Sequence, residues 1–365
     1  MSENNVVLEV DRSDRTKTRI VEQATGELAP DSVRLSIDRF ALTANNVTYA
    51  VIGEMLGYWN FFPAEGGWGR VPAMGWGTVV ESTHADIETG GKYYGWFPMA
   101  RTVDLRAVPA REGLRDDGEH RAEHAAVYRT YTASDRDPFY APGDDAENRH
   151  ALLRGLFVTA FLADDFLGCS DYYGAKRLVV LSASSKTAIG LAERARLRGV
   201  GDVVGVTSAR NAEFVRGLGC YDRVVDCEAI DSLPVDQDAV CVDMAGNGAT
   251  LERVHARLDE RLRYSMSIGL SHHDATPAAP PSRGPAPELF FAPTQVDKRM
   301  ADWGAEGYRQ RVADALEAFV ESSRGWLEVR ELRGGAGAAD AWNAALEGAV
   351  PPHVGQIVSL HDASS

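Results

Sequence analysis

The stretch Arg177-Leu-Val-Val-Leu-Ser-Ala-Ser-Ser-Lys-Thr-Ala188 decides the fold. A short apolar run rich in β-branched residues reads as a buried strand, and the small polar residues after it read as a turn. Residues 187–198 then follow a helical period. Working downstream, strand-like runs recur at Asp202-Val-Val-Gly-Val-Thr207, Arg223-Val-Val-Asp226, Asp238-Ala-Val-Cys-Val-Asp243 and Arg263-Tyr-Ser-Met-Ser-Ile-Gly269. Helical stretches at 211–218 and 249–258 separate them, and a further helix at 152–167 leads in. Strands alternating with helices of about 10–15 residues argue a parallel, doubly wound α/β sheet.

Upstream the character differs. Val33-Arg-Leu-Ser-Ile37 alternates with period two, Gly77-Thr-Val-Val-Glu81 is β-branched, and Tyr93 to Met99 is aromatic and strand-like. Glycine and proline punctuate residues 53–75, so the region 6–110 suggests a small barrel or sandwich. The polar stretches 111–119 and 135–148 read as surface loops flanking a short helix at 122–131. Downstream, Pro277, Pro280, Pro281, Pro285 and Pro287 make a stiff excursion. Tyr308, Val312, Leu316, Phe319 and Val320 share one helical face. Strands at 327–332 and 356–360 then enclose a helix at 338–346. The expected division is 1–150, 151–300 and 301–365.

Composition excludes several classes. The chain of 365 residues is 44% hydrophobic and 25% charged, a globular balance of two-domain size. Its 53 acidic against 38 basic residues give a net charge of −15, which repels phosphate backbones and anionic lipid. No apolar run reaches the roughly 20 residues of a membrane span, and the start Met1-Ser2-Glu3-Asn4-Asn5 lacks the features of a signal peptide. The four cysteines have no CxxC spacing; Cys169 and Cys241 lie in apolar contexts and read as buried free thiols. The expected location is the cytoplasm.

The turn at 183–188 aims helix-start amides and the positive end of a helix dipole at one spot, which makes an anion site of Ser184, Ser185, Lys186 and Thr187. In a GxGxxG fingerprint, Ala183, Ser185 and Ala188 occupy the glycine positions, so the same residues also suit a plain strand–helix turn capped by a serine. About 20 residues on, Thr207-Ser-Ala-Arg-Asn211 offers no carboxylate for a ribose 2′-hydroxyl. Thr207, Ser208 and Arg210 instead suit a 2′-phosphate, favouring NADP(H) over NAD. Ser185-Lys186-Thr187 also matches the tail of a P-loop, but both glycines of that loop are missing. His120-Arg-Ala-Glu-His124 fits HxxEH, yet no third metal ligand is identifiable. His272-His273-Asp274 reads as a solvated loop near a cofactor mouth.

In the order of its landmarks the chain resembles the medium-chain dehydrogenase/reductase superfamily, especially its zinc-free quinone reductase and enoyl-thioester reductase branches. Val33 to Asn46 looks like the opening strand and turn, and Val71-Pro-Ala-Met-Gly-Trp-Gly-Thr-Val-Val-Glu81 like a shortened glycine-rich segment. Gly217 to Asp226, Val242-Asp-Met-Ala-Gly246 and Gly355-Gln-Ile-Val-Ser-Leu360 match later landmarks. The resemblance is to a divergent group of that superfamily. It implies a GroES-like β-rich catalytic domain formed by both ends of the chain, with a Rossmann domain inserted. It also implies a homodimer, and a cofactor lying against Ala245 and Gly269.

Zinc-dependent members carry a cysteine and a His-Glu pair where this chain has Asn45-Asn46 and Trp76-Gly77, so no catalytic metal is expected. Hydride transfer would then need a polar group at the developing anion. By resemblance that group is Tyr58, with Tyr49 and Asn46 as the other candidates. The surrounding aromatics (Trp59, Phe61, Phe62, Trp68, Trp76 and Trp96 among them) divide between barrel core and an apolar cleft for a flat or acyl small-molecule substrate. The expected function is zinc-independent, NADP(H)-dependent reduction of an activated C=C or C=O bond. The alternative is a cofactor-poor relative acting as a binding protein or lyase, motivated by the glycine-depleted loop.

Overall fold

The computed structural model describes residues 4–244, 246–269 and 281–361, and divides into two units. Ala245, the His272-His273-Asp274 segment, Pro277 and Pro280 lie outside the described residues.

The inserted unit, Gly155–Trp326, is built on a parallel sheet. Its strand order is Arg223–Asp226, Asp202–Thr207, Arg177–Leu181, Ala239–Asp243, Leu262–Ser267 and Glu288–Leu289. Val179 through Leu181 is buried on both faces, as a strand covered by helices on either side must be. The order reverses at Arg177–Leu181, so the turn after Leu181 sits at the switch point where such sheets bind ligands. The helix Ala292–Ser323 buries Val312, Leu316, Phe319 and Val320 as the sequence pattern requires.

That helix belongs to the inserted unit, so the return to the first unit falls at Leu327 rather than at 301. Phe319 stacks on Phe157 with ring centroids 4.8 Å apart, which ties the helix to this unit's own core. Asp171, Tyr172, Tyr173 and Gly174 all have positive φ, a single left-handed turn between helix and strand. Tyr172 offsets part of its strain by donating to Asp164 at 2.7 Å, and Tyr173 stacks on Tyr264 at 4.2 Å.

The other unit, Met1–Arg154 with Leu327–Ser365, is a closed antiparallel barrel. Its strands run Ser32–Leu42, Pro72–Ser82, Lys92–Pro98, Thr130–Ala133, Gly113–Asp116 and Thr102–Ala110, and the last pairs back onto the first. Val354–Ser359 extends this sheet from Ser32–Leu42, and Glu328–Arg333 adds in parallel beyond it. Phe40, Trp76, Phe97, Tyr131 and Trp342 fill the core and are fully buried. Gly95 is where the barrel admits Tyr131, because a Cβ there would lie 2.4 Å from the ring.

Several local expectations are corrected here. The helix expected at 122–131 is a single turn, Ala126–Arg129, followed by a strand; Tyr131 and Ala133 alternate inward in it, and Tyr131 Oη donates to the Trp96 carbonyl at 2.6 Å. The charged stretch 111–119 contains the hairpin strand Gly113–Asp116. The end of the stretch 135–148 opens the helix Asp144–Cys169, with Glu147 and Asn148 buried; Lys92 reaches Glu147 at 2.8 Å and Arg39 reaches Asn148 at 2.9 Å. Cys169 is exposed rather than buried, at the end of that helix, and accepts from Arg299 at 2.9 Å. No helix among the described residues is long and apolar enough to cross a membrane.

Candidate functional site

In the barrel unit, Thr43 and Asn46 form a capping box that starts the helix Ala44–Val51. Asn46 Oδ1 accepts the Thr43 amide at 2.8 Å, while its Nδ2 donates to the Pro72 carbonyl at 2.9 Å. Both ends of this amide are therefore engaged in holding the helix, and Asn46 orients the site. One turn of helix brings Asn45 beneath Tyr49, whose hydroxyl accepts from the Asn45 amide. Gly57, at φ 72°, ends the next turn in the left-handed region and delivers Tyr58 inward.

The rings of Tyr49 and Tyr58 lie 4.7 Å apart, and Tyr58 Oη is 3.2 Å from Tyr128 Oη. Trp96 packs on Tyr49 and on Tyr128, each at 5.2 Å. Burial pushes the phenols of Tyr49, Tyr58 and Tyr128 above their ordinary range, so each remains a protonated donor at neutral pH. Of the sequence candidates, Tyr49 and Tyr58 are thus brought together, with Tyr128 and Trp96 as central members of the same cluster. Tyr128 falls in the segment read as a helix, which obscured its inward direction.

Arg121 underlies this cluster. It is fully buried, pairs with Asp116 at 3.1 Å and lies over the Phe61 ring at 4.4 Å. Its Nε donates to His124 Nδ1 at 3.2 Å, which leaves Nε2 of a neutral imidazole to donate to the Gly57 carbonyl at 3.1 Å. Burial, then the Arg121 charge, hold the His124 pKa below its ordinary value. His124 of the HxxEH motif therefore holds the loop that carries Tyr58, through the Gly57 carbonyl. Among the described residues no group of three or more His, Cys, Asp or Glu side chains is placed to hold a metal ion.

In the inserted unit, Ser185 caps the helix Lys186–Arg198 by accepting the Ala188 amide at 3.2 Å, and its own hydroxyl proton remains available. Ser182 takes a positive φ of 54°, a strained turn at the switch point. Ser184 Oγ accepts from Asn211 Nδ2 at 3.1 Å and from Thr207 Oγ1 at 3.5 Å, which joins the first turn to the end of the second strand. Tyr221 Oη donates to the Ala183 carbonyl at 2.9 Å and pins the loop from below.

Ser208 starts the helix Ala209–Gly217, and Arg210 is exposed in its first turn. Lys186 and Thr187 begin the other helix; burial lowers the Lys186 pKa to about 8, although the residue as a whole is only half-buried. Gly269 lies where a Cβ would meet the Met244 carbonyl at 2.4 Å, at the carboxyl ends of the neighbouring strands. Asn211 and Tyr221 were not legible as site residues; the one sequence signal was Gly205, an interruption in an otherwise β-branched strand.

Comparison with known proteins now has a structural meaning. CurA from Vibrio vulnificus, solved in complex with NADPH, superposes with a TM-score of 0.63 at 13% identity, over 98% of this chain and 99% of CurA. The yhdH oxidoreductase from Salmonella enterica, solved with NADP, gives 0.53 at 15% identity over 98% and 100%. CurK enoyl reductase gives 0.54 at 13% identity over 97% and 99%. At these identities the likeness establishes the fold alone, the one shared with CurA, the yhdH oxidoreductase and CurK enoyl reductase. No curated protein matches the chain. One family model covers residues 40–351, most of both units, and the chain accordingly belongs to the family described as "Protein of unknown function (DUF2855)".

Proposed function

We propose that the protein is an oxidoreductase that uses NADP(H), without zinc, to reduce an activated C=C or C=O bond of a small, rather apolar substrate. The observation that carries this reading is the first-turn site at the switch point, where Ser184 is joined to Thr207 and Asn211 and no carboxylate ends the second strand. NADPH in CurA and NADP in yhdH, proteins of the same fold, support it.

The residues present suit such a cofactor. The helix Lys186–Arg198 starts at this turn, and its first-turn amides would meet the pyrophosphate with the hydroxyls of Ser184 and Ser185. Thr207, Ser208 and Arg210 would take the 2′-phosphate, and the cofactor would pass Gly269, which packs against the Met244 carbonyl at the carboxyl ends of the strands. The nicotinamide supplies a hydride when bound. Tyr58 and Tyr128 share one hydrogen bond, so one of their two phenolic protons remains for an oxygen that gains negative charge. Tyr58 is the preferred donor, Tyr49 the second. A cytoplasmic homodimer completes the reading.

The test is NADPH against NADH binding by quenching of tryptophan emission, in the parent protein and in Arg210→Ala and Lys186→Ala. Selective NADPH binding that weakens in both variants is expected. A folded protein with no NADPH affinity would overturn the reading, and would favour a cofactor-free binding or lyase role.

A further inference from the structure

The barrel unit holds a pocket of about 80 Å³ that neither the tyrosine cluster nor the first-turn site uses. Asp38 and Arg39 enter it from the strand Ser32–Leu42, and Asp144 and Asn148 from the first turns of the helix Asp144–Cys169. The strands Glu328–Arg333 and Val354–Ser359 complete the wall with Glu331, Arg333, Ile357 and Ser359. The floor is sealed, since Ile357 is 2% and Asn148 4% exposed. Asn148 is fixed there at both ends, accepting from Arg39 at 2.9 Å and donating to Glu331 at 3.0 Å. The mouth is open, with the side chain of Asp144 82% exposed and those of Glu331 and Arg333 about half exposed.

Charge decides what fits. Arg39 pairs with Asp144 at 2.7 Å and Arg333 with Glu331 at 3.1 Å, so both guanidiniums of the wall are matched inside it. The third carboxylate, Asp38, has only a shared cation. Its Oδ2 accepts from the Thr78 hydroxyl at 3.0 Å and lies 3.8 Å from Lys92, which is committed to Glu147 at 2.8 Å. Arg39, Arg333 and Lys92 thus face the carboxylates of Asp38, Asp144, Glu331 and Glu147, one positive charge short. Burial holds the Asp38 pKa above the usual carboxylate value, as befits an undercompensated charge. The missing cation is not a metal ion, because among the described residues no group of three or more His, Cys, Asp or Glu side chains is placed to hold one. A volume about half that of a benzene-sized cavity leaves room for about four non-hydrogen atoms.

We infer that this pocket binds a small organic cation with N–H donors, a guanidinium or a primary ammonium, with Asp38 as its counter-charge and Glu331 and Ser359 as further acceptors. The site stands apart from the reductase reading and needs no cofactor. Asp38 comes from the first part of the chain, and Glu331 and Ser359 from the segment that returns to it. A cation held among them ties these two stretches together and stabilises the folded state.

The experiment titrates guanidinium chloride, methylammonium chloride and urea, each in the millimolar range at constant ionic strength, into the full-length protein by calorimetry. Urea has the shape of guanidinium without its charge. The expected result is saturable binding of one cation or both, about tenfold weaker in Asp38→Asn, and none of urea. Asp38→Asn keeps an acceptor for Thr78, and its melting temperature separates loss of binding from loss of fold. Glu331→Gln, at the exposed mouth, should weaken binding about threefold and tests the site without touching its floor. Binding of guanidinium alone makes the ligand a planar guanidino compound, and binding of methylammonium alone a primary amine; either result carries the proposal. Urea bound as tightly as guanidinium, no binding of either cation to the parent, or binding unchanged in both variants would overturn it.

Discussion

Ala183, in the turn after the strand Arg177–Leu181, faces Gly205 of the adjacent parallel strand so closely that a Cβ on Gly205 would lie 2.9 Å from the Ala183 methyl. The space that a fingerprint glycine would leave at 183 is here given up by the neighbouring strand. Gly205→Ala is expected to destabilise by about 1–3 kcal/mol through overpacking. Adding Ala183→Gly should recover only part of this, since the Tyr221 ring stands at the same 2.9 Å. Urea denaturation of the two single variants and the double variant measures the coupling.

Lys186 gives a pH signature. Its folded pKa of about 8 lies below the ordinary 10.5, so the folded chain binds fewer protons than the unfolded one between these values. The group therefore costs stability below pH 8, and the cost fades as pH rises toward 10.5. Lys186→Met is expected to stabilise the protein at pH 7. A phosphate beside the ammonium favours the charged form, so NADPH binding near pH 8 should take up protons and weaken as pH rises further. Calorimetry in two buffers of different ionisation enthalpy measures that uptake.

Arg121 is a buried charge with a buried partner. Arg121→Ala is expected to cost about 3–5 kcal/mol, because Asp116, itself 1% exposed, is left uncompensated. Arg121→Lys should not rescue it, since the fork also donates to the carbonyls of Phe61 and Tyr128 and lies over the Phe61 ring. Chemical denaturation of both variants checks this.

His150 gives the opposite side of neutrality its own signature. Its pKa is about 4 in the folded state against 6.5 ordinarily, so the unfolded chain binds more protons between those values. The stability held by the neutral imidazole is complete above pH 6.5 and falls as pH drops toward 4. His150→Phe is expected to flatten the stability profile in that window. Thermal unfolding from pH 4 to pH 7 in both proteins provides the comparison.

The parallel sheet was legible in the sequence because its strands are buried on both faces and so appear as uninterrupted runs, as at Leu178 to Leu181. The barrel was harder to read. Its short strand Gly113–Asp116 carries Arg115 and Asp116, and Asp116 points inward only because Arg121 meets it there. A charge paired across five residues leaves no apolar periodicity, so the segment reads as a loop. The same limit applied to the site. Tyr49 and Tyr58 could be named as candidates from their place after the first turn, but their contacts with Tyr128 and Trp96 join segments far apart in the chain. Asn46 looked like a chemical group in sequence, and in the structure it is the partner of the N-cap Thr43 in a capping box, accepting the Thr43 amide three residues earlier.

The barrel unit is assembled from both ends of the chain: Val354–Ser359 pairs with Ser32–Leu42, and Trp342 is sealed in the core with its indole donating to the Arg15 carbonyl. During synthesis the first 154 residues emerge without these partners and must wait for the last forty or so. The inserted parallel sheet has all its strands once residue 289 is out. On the ribosome, the inserted unit therefore completes its sheet before the half that holds the tyrosines. An arrest after residue 326 would leave the unfinished barrel as the exposed, aggregation-prone portion.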